Sequence, residues 1–235
     1  MPDPVIELEL YLVRHGESRS NAGLLDPEDF RAFEDPFLTE KGLRQARLLG
    51  EFFSRLDLDC ILASGQNRAL QTAGEVAARQ KRTRAVEAHP VFTEGRLSPE
   101  FGEKHFDEIA AAHPYAVPAQ GVDPAGDFVA TQDEPGDAPT VLRAKQALAY
   151  LHGRFRSGEK VMVVAHAMFN TVLLFTALGL LTDGIFDFAI ANTGVTKLVF
   201  YQKGTGRWGC DTHLIFHNSL AHLADEFPDA IFTAY

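Results

Sequence analysis

Five residues of this 235-residue chain combine side-chain chemistry with a shared placement, each following an apolar run. Arg14 and His15 follow LELYLV, Arg68 lies just past DCILAS, Glu94 closes a run through Val91 and Phe92, and His166 follows VMVVA. Guanidinium forks bind phosphoryl oxygens bidentately, and a neutral imidazole nitrogen can attack phosphorus in line. A carboxyl group can protonate a departing oxygen and later take a proton from water. The residue types suit phosphoryl chemistry and leave open which histidine attacks.

The elements that must bring these residues together follow from periodicity. Residues 7–13 read as a buried central strand that stops at Arg14, His15 and Gly16, which delivers a cation and an imidazole to a sheet rim. A polar loop (21–35) leads to an amphipathic helix over 38–56, with Thr39 as its N-cap. A short strand (58–64) and a helix (67–80) repeat that build, and a third strand is expected at 85–92. From Glu94 to about residue 139 the sequence is rich in Gly, Pro, Asp and Phe without sustained period, which suggests an inserted lid folded around Phe101, Phe106, Tyr115 and Phe128. A helix over 140–155, a strand from 161 running to His166 and a helix over 168–178 follow. VTKLVFYQ and RWGCDTHLIF then flank a four-residue turn, 203–206, as a hairpin. The expected fold is α/β: a three-layer sandwich with a mostly parallel central sheet, one antiparallel hairpin strand and an inserted lid segment. Ligands of such sheets sit at the strand C-terminal ends.

Composition bounds the class. With 46% hydrophobic and 23% charged residues, the chain suits one domain spanning 1–235, with the lid at about 95–139. A net charge of −10 disfavours nucleic acid or an anionic membrane as partner, since both need a broad basic surface. Cys60 and Cys210 lack metal-type spacing and fit a reducing compartment. MPDPVIELEL has no basic patch ahead of an apolar run, and no stretch is long enough for a membrane span, so a cytoplasmic location is expected.

Five blocks in order carry a family resemblance: LYLVRHGES, LTEKGLRQA, SGQNRALQTA, FTEGR and VVAHAMFN, with NTGVTKL as a late strand. The chain resembles the histidine phosphatase superfamily, with its phosphoglycerate-mutase-like fold, over most of its length outside 95–140. That resemblance implies that His15 is the nucleophile that becomes phosphohistidine, that Arg14, Arg68 and His166 bind the phosphoryl group, and that Glu94 is the proton donor. It implies a metal-independent phosphomonoesterase without cofactor, and the acidic and aromatic residues of 95–139 favour a small phosphoester or phosphopeptide over a highly charged polyphosphate as its substrate. Many relatives have glycine where this chain has Ala167; alanine keeps the backbone N–H as a phosphate contact unless φ must be positive.

Ser18 and Asn21 are expected to bond phosphate or order the loop, and Glu17 either to orient an arginine or to touch a reacting group. His213, His217 and His222 lack a carboxylate or Cys companion and read as structural rather than as a metal site. Two other functions stay in play. A phosphoglycerate-type mutase would return the phosphoryl group to a sugar-acid hydroxyl, although GRLSPEFGEKHF lacks the Arg and Tyr run associated with mutases. A catalytically idle phosphate- or protein-binding domain would usually have lost a core residue, and none is missing.

Overall fold

The computed structural model describes residues 3–25, 29–94, 101–129, 137–180 and 188–227. Seven strands form one sheet: β1 (Ile6–Arg14), β2 (Cys60–Ala63), β3 (Val86–Ala88), β4 (Ala116–Pro118), β5 (Glu159–Ala165), β6 (Val195–Tyr201) and β7 (Thr212–Ser219), in the order β4-β3-β2-β5-β1-β6-β7. The pairs β1/β5, β2/β5, β2/β3 and β3/β4 are parallel. Only β6 runs against its neighbours, antiparallel to both β1 and β7.

Six helices accompany the sheet among the described residues: α1 (Phe30–Glu34), α2 (Glu40–Phe53), α3 (Asn67–Ala77), α4 (Phe106–Ala112), α5 (Asp137–Arg154) and α6 (Ala167–Leu178). Strand alternation divides the core. Tyr11, Val13, Ile61, Ala63, Met162 and Val164 face one cluster with residues of α2, α3 and α4. Leu10, Leu12, Leu62, Val161 and Val163 face the other with α5 and α6. Both faces are covered, as a parallel sheet requires, and the three-layer sandwich is the one the periodicity predicts.

Local signals hold where they were strong. Thr39 caps α2, its Oγ1 accepting from the Gly42 N–H at 3.0 Å. Gly179 ends α6 in the left-handed region at φ 67°. Three expectations need correction. The hairpin turn is not four residues: β6 ends at Tyr201 and β7 begins at Thr212, because the Asp211 carboxylate accepts from Gly204 N–H at 3.0 Å and Gly206 N–H at 3.2 Å and folds the connection into a compact loop. The third strand stops at Ala88, since the His89 side chain accepts from Val91 N–H at 3.1 Å and Pro90 opens a 3-10 turn. The segment after Glu94 is not without regular structure. Its described part supplies α4 and the edge strand β4, and Phe128 is fully buried in the core.

Candidate active site

The sheet register aligns the strand ends. Arg14 stands opposite Ala165, and Ala63 opposite Val164. Beyond the strands, His15 N–H donates to Ala165 C=O (3.0 Å), Ser64 N–H to Val164 C=O (3.1 Å) and His89 N–H to Ala63 C=O (2.9 Å). β1, β2, β3 and β5 therefore deliver the segments that follow them to one rim.

His15 and His166 face each other there with ring centroids 5.2 Å apart at 61°. His15 Nδ1 lies 2.7 Å from Gly16 C=O, so in the neutral ring the proton sits on Nδ1 and the Nε2 lone pair is free to accept. The Arg68 Nε–H donates to that nitrogen at 3.2 Å. Arg68 also donates from Nη1 to Glu34 C=O at 3.2 Å. Arg14 donates from Nη1 to Ile190 C=O at 2.6 Å, while its Nε is buried and unpartnered. Both ring nitrogens of His166 are buried and unpartnered as well. Orphaned buried nitrogens on two neighbouring residues mark a place prepared for a polar ligand.

Glu94 completes the rim from the loop after β3. Its carboxylate accepts from Met168 N–H and Phe169 N–H, each at 3.1 Å, at the start of α6. Each oxygen keeps a second lone pair for a proton. Burial pushes the Glu94 pKa up, against the opposing pull of those two amides and of Arg68 and Arg14. The His15 and His166 values lie well below the ordinary histidine value, through burial first and the nearby arginines second. The site therefore holds two neutral imidazoles, two guanidinium groups and one carboxyl with a raised pKa.

Ser18 and Asn21 order the loop behind His15: Ser18 N–H donates to Asn21 Oδ1 and Asn21 N–H to Ser18 Oγ, each at 3.3 Å. Glu17 does not orient an arginine. It accepts from Thr39 Oγ1 (2.8 Å) and pairs with Lys41 (2.7 Å), tying the motif to α2. Ala167 is the first helical residue of α6 and is not among the positive-φ positions, so its Cβ is unstrained. His213 bonds the Cys210 carbonyl, His217 bonds Thr196 Oγ1 and His222 bonds Thr193 Oγ1 at 3.0, 3.0 and 2.9 Å.

Several contributors lie outside the sequence reading. Asn192 donates from Nδ2 to His15 C=O at 3.0 Å, and Thr193, at φ 58°, donates its N–H to Arg14 C=O at 3.0 Å. Thr72 Oγ1 accepts from Gly16 N–H at 3.0 Å. Arg143 of α5, buried over the Phe169 ring, donates to the carbonyls of Thr93 and Glu94 and so fixes the carboxylate-bearing segment. The one available signal is an arginine amid the helical pattern of 140–155; the others lie far from their partners in sequence.

Phosphoserine phosphatase 1 of Hydrogenobacter thermophilus is 34% identical over 126 residues, which cover 48% of this chain and 56% of that protein. The chain thus spans a little over half the length of that relative. A phosphoserine phosphatase of Entamoeba histolytica, solved as a mutant in complex with phosphoserine, superposes with a TM-score of 0.57 at 20% identity, covering 92% of this chain and 99% of that one. The mycobacterial glucosyl-3-phosphoglycerate phosphatase gives a TM-score of 0.57 at 20% identity, covering 90% and 98%. A phosphoglycerate mutase of Bacillus anthracis gives 0.58 at 20%, covering 94% and 97%. These likenesses establish a shared fold. Residues 10–209 match the histidine phosphatase superfamily (branch 1), the family to which this chain belongs.

Proposed function

We propose that the chain is a phosphomonoesterase that works through a phosphohistidine formed on His15. The observation that carries this reading is the Nε2 lone pair of a neutral, buried His15, held by Arg68 at 3.2 Å and facing the unpartnered ring of His166. Arg14, Arg68 and His166 bind the equatorial phosphoryl oxygens, and the Ala167 amide at the start of α6 adds a further donor. Asn21 and Ser18 hold the loop that closes the cradle. The arginines supply the positive charge, so the reading asks for no metal.

In the first displacement the Arg68 Nε–H gives up its bond to His15 Nε2 for a phosphoryl oxygen, the freed Nε2 lone pair forms a bond to phosphorus, the bond from phosphorus to the alcohol oxygen breaks, and Glu94 gives that oxygen its proton. In the second, water attacks phosphorus while Glu94 takes its proton. The P–N bond breaks, releasing phosphate and restoring the lone pair. The substrate is a small phosphoester, in keeping with the small phosphorylated molecules named for the relatives. The two cysteines are free, in keeping with a cytoplasmic setting. Residues 1–235 are read as one such domain, since the two large core clusters are built on one sheet.

The test is hydrolysis of 4-nitrophenyl phosphate without added metal, with trapping of an acid-labile, alkali-stable phosphoprotein. Wild type is expected to release phosphate and to label, and His15→Ala to do neither. Equal activity of the two proteins refutes the His15 mechanism. Isomerisation of 3-phosphoglycerate in place of phosphate release refutes the hydrolase reading in favour of a mutase.

A further inference from the structure

Arg68 is held on two sides of its guanidinium. Its Nε–H bonds His15 Nε2 at 3.2 Å, and Nη1 bonds the Glu34 C=O, the last helical carbonyl of α1, at 3.2 Å. The direction of the guanidinium is therefore tied to where α1 ends. The segment that follows Glu94 holds α1 in turn: Arg31 Nη2 donates to Glu103 C=O at 3.1 Å and faces the Glu108 carboxylate at 3.4 Å. Asp35, directly after Glu34, is 5% exposed and forms an ion pair with Lys104, which is also 5% exposed.

Both members of that pair are anchored. Asp35 Oδ1 accepts from the Asn67 N–H at 2.6 Å and Asp35 C=O from Asn67 Nδ2 at 3.1 Å, which docks the end of α1 on the first turn of α3, next to Arg68. Lys104 uses all three ammonium donors, on the Asp35 carboxylate, on Gly65 C=O at 3.0 Å and on Asn67 Oδ1 at 3.1 Å. Its backbone is held as well, its N–H donating to Asp127 Oδ1 at 3.1 Å and its C=O accepting from Phe128 N–H at 2.9 Å. The charge of Asp35 reaches Arg68: burial lowers the Arg68 pKa, and Asp35 is the largest charge opposing that fall, ahead of Glu94. A buried carboxylate without its cation would draw the guanidinium to itself, and the same fork is needed for phosphoryl oxygens.

We propose that Lys104 is a positioning residue for phosphoryl binding: it pins Asp35 to the start of α3 and neutralises it, so that the Arg68 guanidinium stays directed at His15 and is not drawn to Asp35. The inference rests on the phosphomonoesterase reading above and gives the segment after Glu94 a part in it. The Lys104 ammonium bonds run to Asp35, Gly65 and Asn67 and not to His15, so Lys104 acts through Arg68. An ion pair that only stabilised the fold would change the folded fraction and leave the phosphate affinity of the folded molecules as it is.

The test is the Kd of inorganic phosphate by calorimetry, with KM and kcat for 4-nitrophenyl phosphate, each measured well below the unfolding temperature of the variant. Lys104→Met is the first variant, and Lys104→Gln, whose amide still donates to Asp35, is the second should the first fail to fold. Either is expected to raise Kd and KM about tenfold, the loss of one charge-assisted hydrogen bond. Removing the competing charge in Asp35→Asn/Lys104→Met should bring both constants back towards wild type. In an Arg68→Gln background the Lys104 substitution should leave Kd unmoved. Partial unfolding lowers the apparent kcat and the number of binding sites but not the affinity, so a wild-type Kd in the Lys104 variants overturns the assignment. A rise in Kd that persists undiminished in the Arg68→Gln background overturns it too. A wild type that neither binds phosphate nor hydrolyses the ester is a different result and refutes the parent reading.

Discussion

Replacing Glu94 by Gln separates two roles that its position allows. The carboxylate accepts two amide bonds of 3.1 Å at the start of α6, so it caps a helix, and in the proposed reaction it also gives a proton to the leaving alcohol. Glutamine keeps the volume, yet its NH2 would face Met168 N–H or Phe169 N–H, donor against donor. One lost bond to an exposed or part-buried amide destabilises the protein by about 1 kcal/mol or less. The catalytic consequence depends on the alcohol. An alkoxide leaves poorly without a proton, and loss of general acid catalysis costs about 10²–10⁴-fold. Nitrophenolate leaves readily unprotonated, so the same substitution should cost about tenfold or less. The assay is kcat/KM for phosphoserine and for 4-nitrophenyl phosphate, since kcat/KM stops at departure of the alcohol and does not report hydrolysis of the phosphohistidine. Equal losses on the two substrates would refute the proton-donor role and leave Glu94 as a cap that positions α6.

Further outcomes concern the His15 charge, the Lys104–Asp35 pair and Gly16. Protonation removes the His15 lone pair, and burial with Arg14 and Arg68 disfavours the proton, so the acid limb of the kcat/KM profile should lie below pH 6.5; a limb at or above that value contradicts the assignment. In Arg68→Gln an NMR titration should show the His15 value rising. Lys104→Met leaves Asp35 buried without its cation and should destabilise the fold by about 3–5 kcal/mol in chemical denaturation. Removing both charges in Asp35→Asn/Lys104→Met should restore part of that loss. Gly16→Ala places a Cβ 2.6 Å from the Gly42 carbonyl, so either α2 or the motif must shift; a loss of about 1–3 kcal/mol and reduced turnover are expected, and unchanged unfolding would contradict the close approach.

Much of the arrangement is legible without coordinates, and the reason is local. An apolar run that ends in a polar residue marks both a buried strand and a rim, and four such runs imply that Arg14, His15, Arg68, Glu94 and His166 meet. The order β4-β3-β2-β5-β1-β6-β7 is not legible, because pairing across the sheet depends on contacts far apart in sequence. β4 has three residues, too few to show alternation, so its place beside β3 is hidden in a Gly- and Pro-rich stretch. Asn192 lies 177 residues from the His15 carbonyl that it bonds, and Arg143 lies 49 from Glu94. Neither separation leaves a periodic trace.

The chemistry is written in the chain itself, because residue types at strand ends define which groups can bind, attack and protonate. How those groups are poised is a matter of their assembled surroundings. The tautomer of His15 depends on the Gly16 carbonyl at 2.7 Å and the Arg68 Nε–H at 3.2 Å, and the raised Glu94 pKa depends on burial. Hydrogen-bond geometry and desolvation arise from groups that folding brings together, and no single stretch of chain contains them.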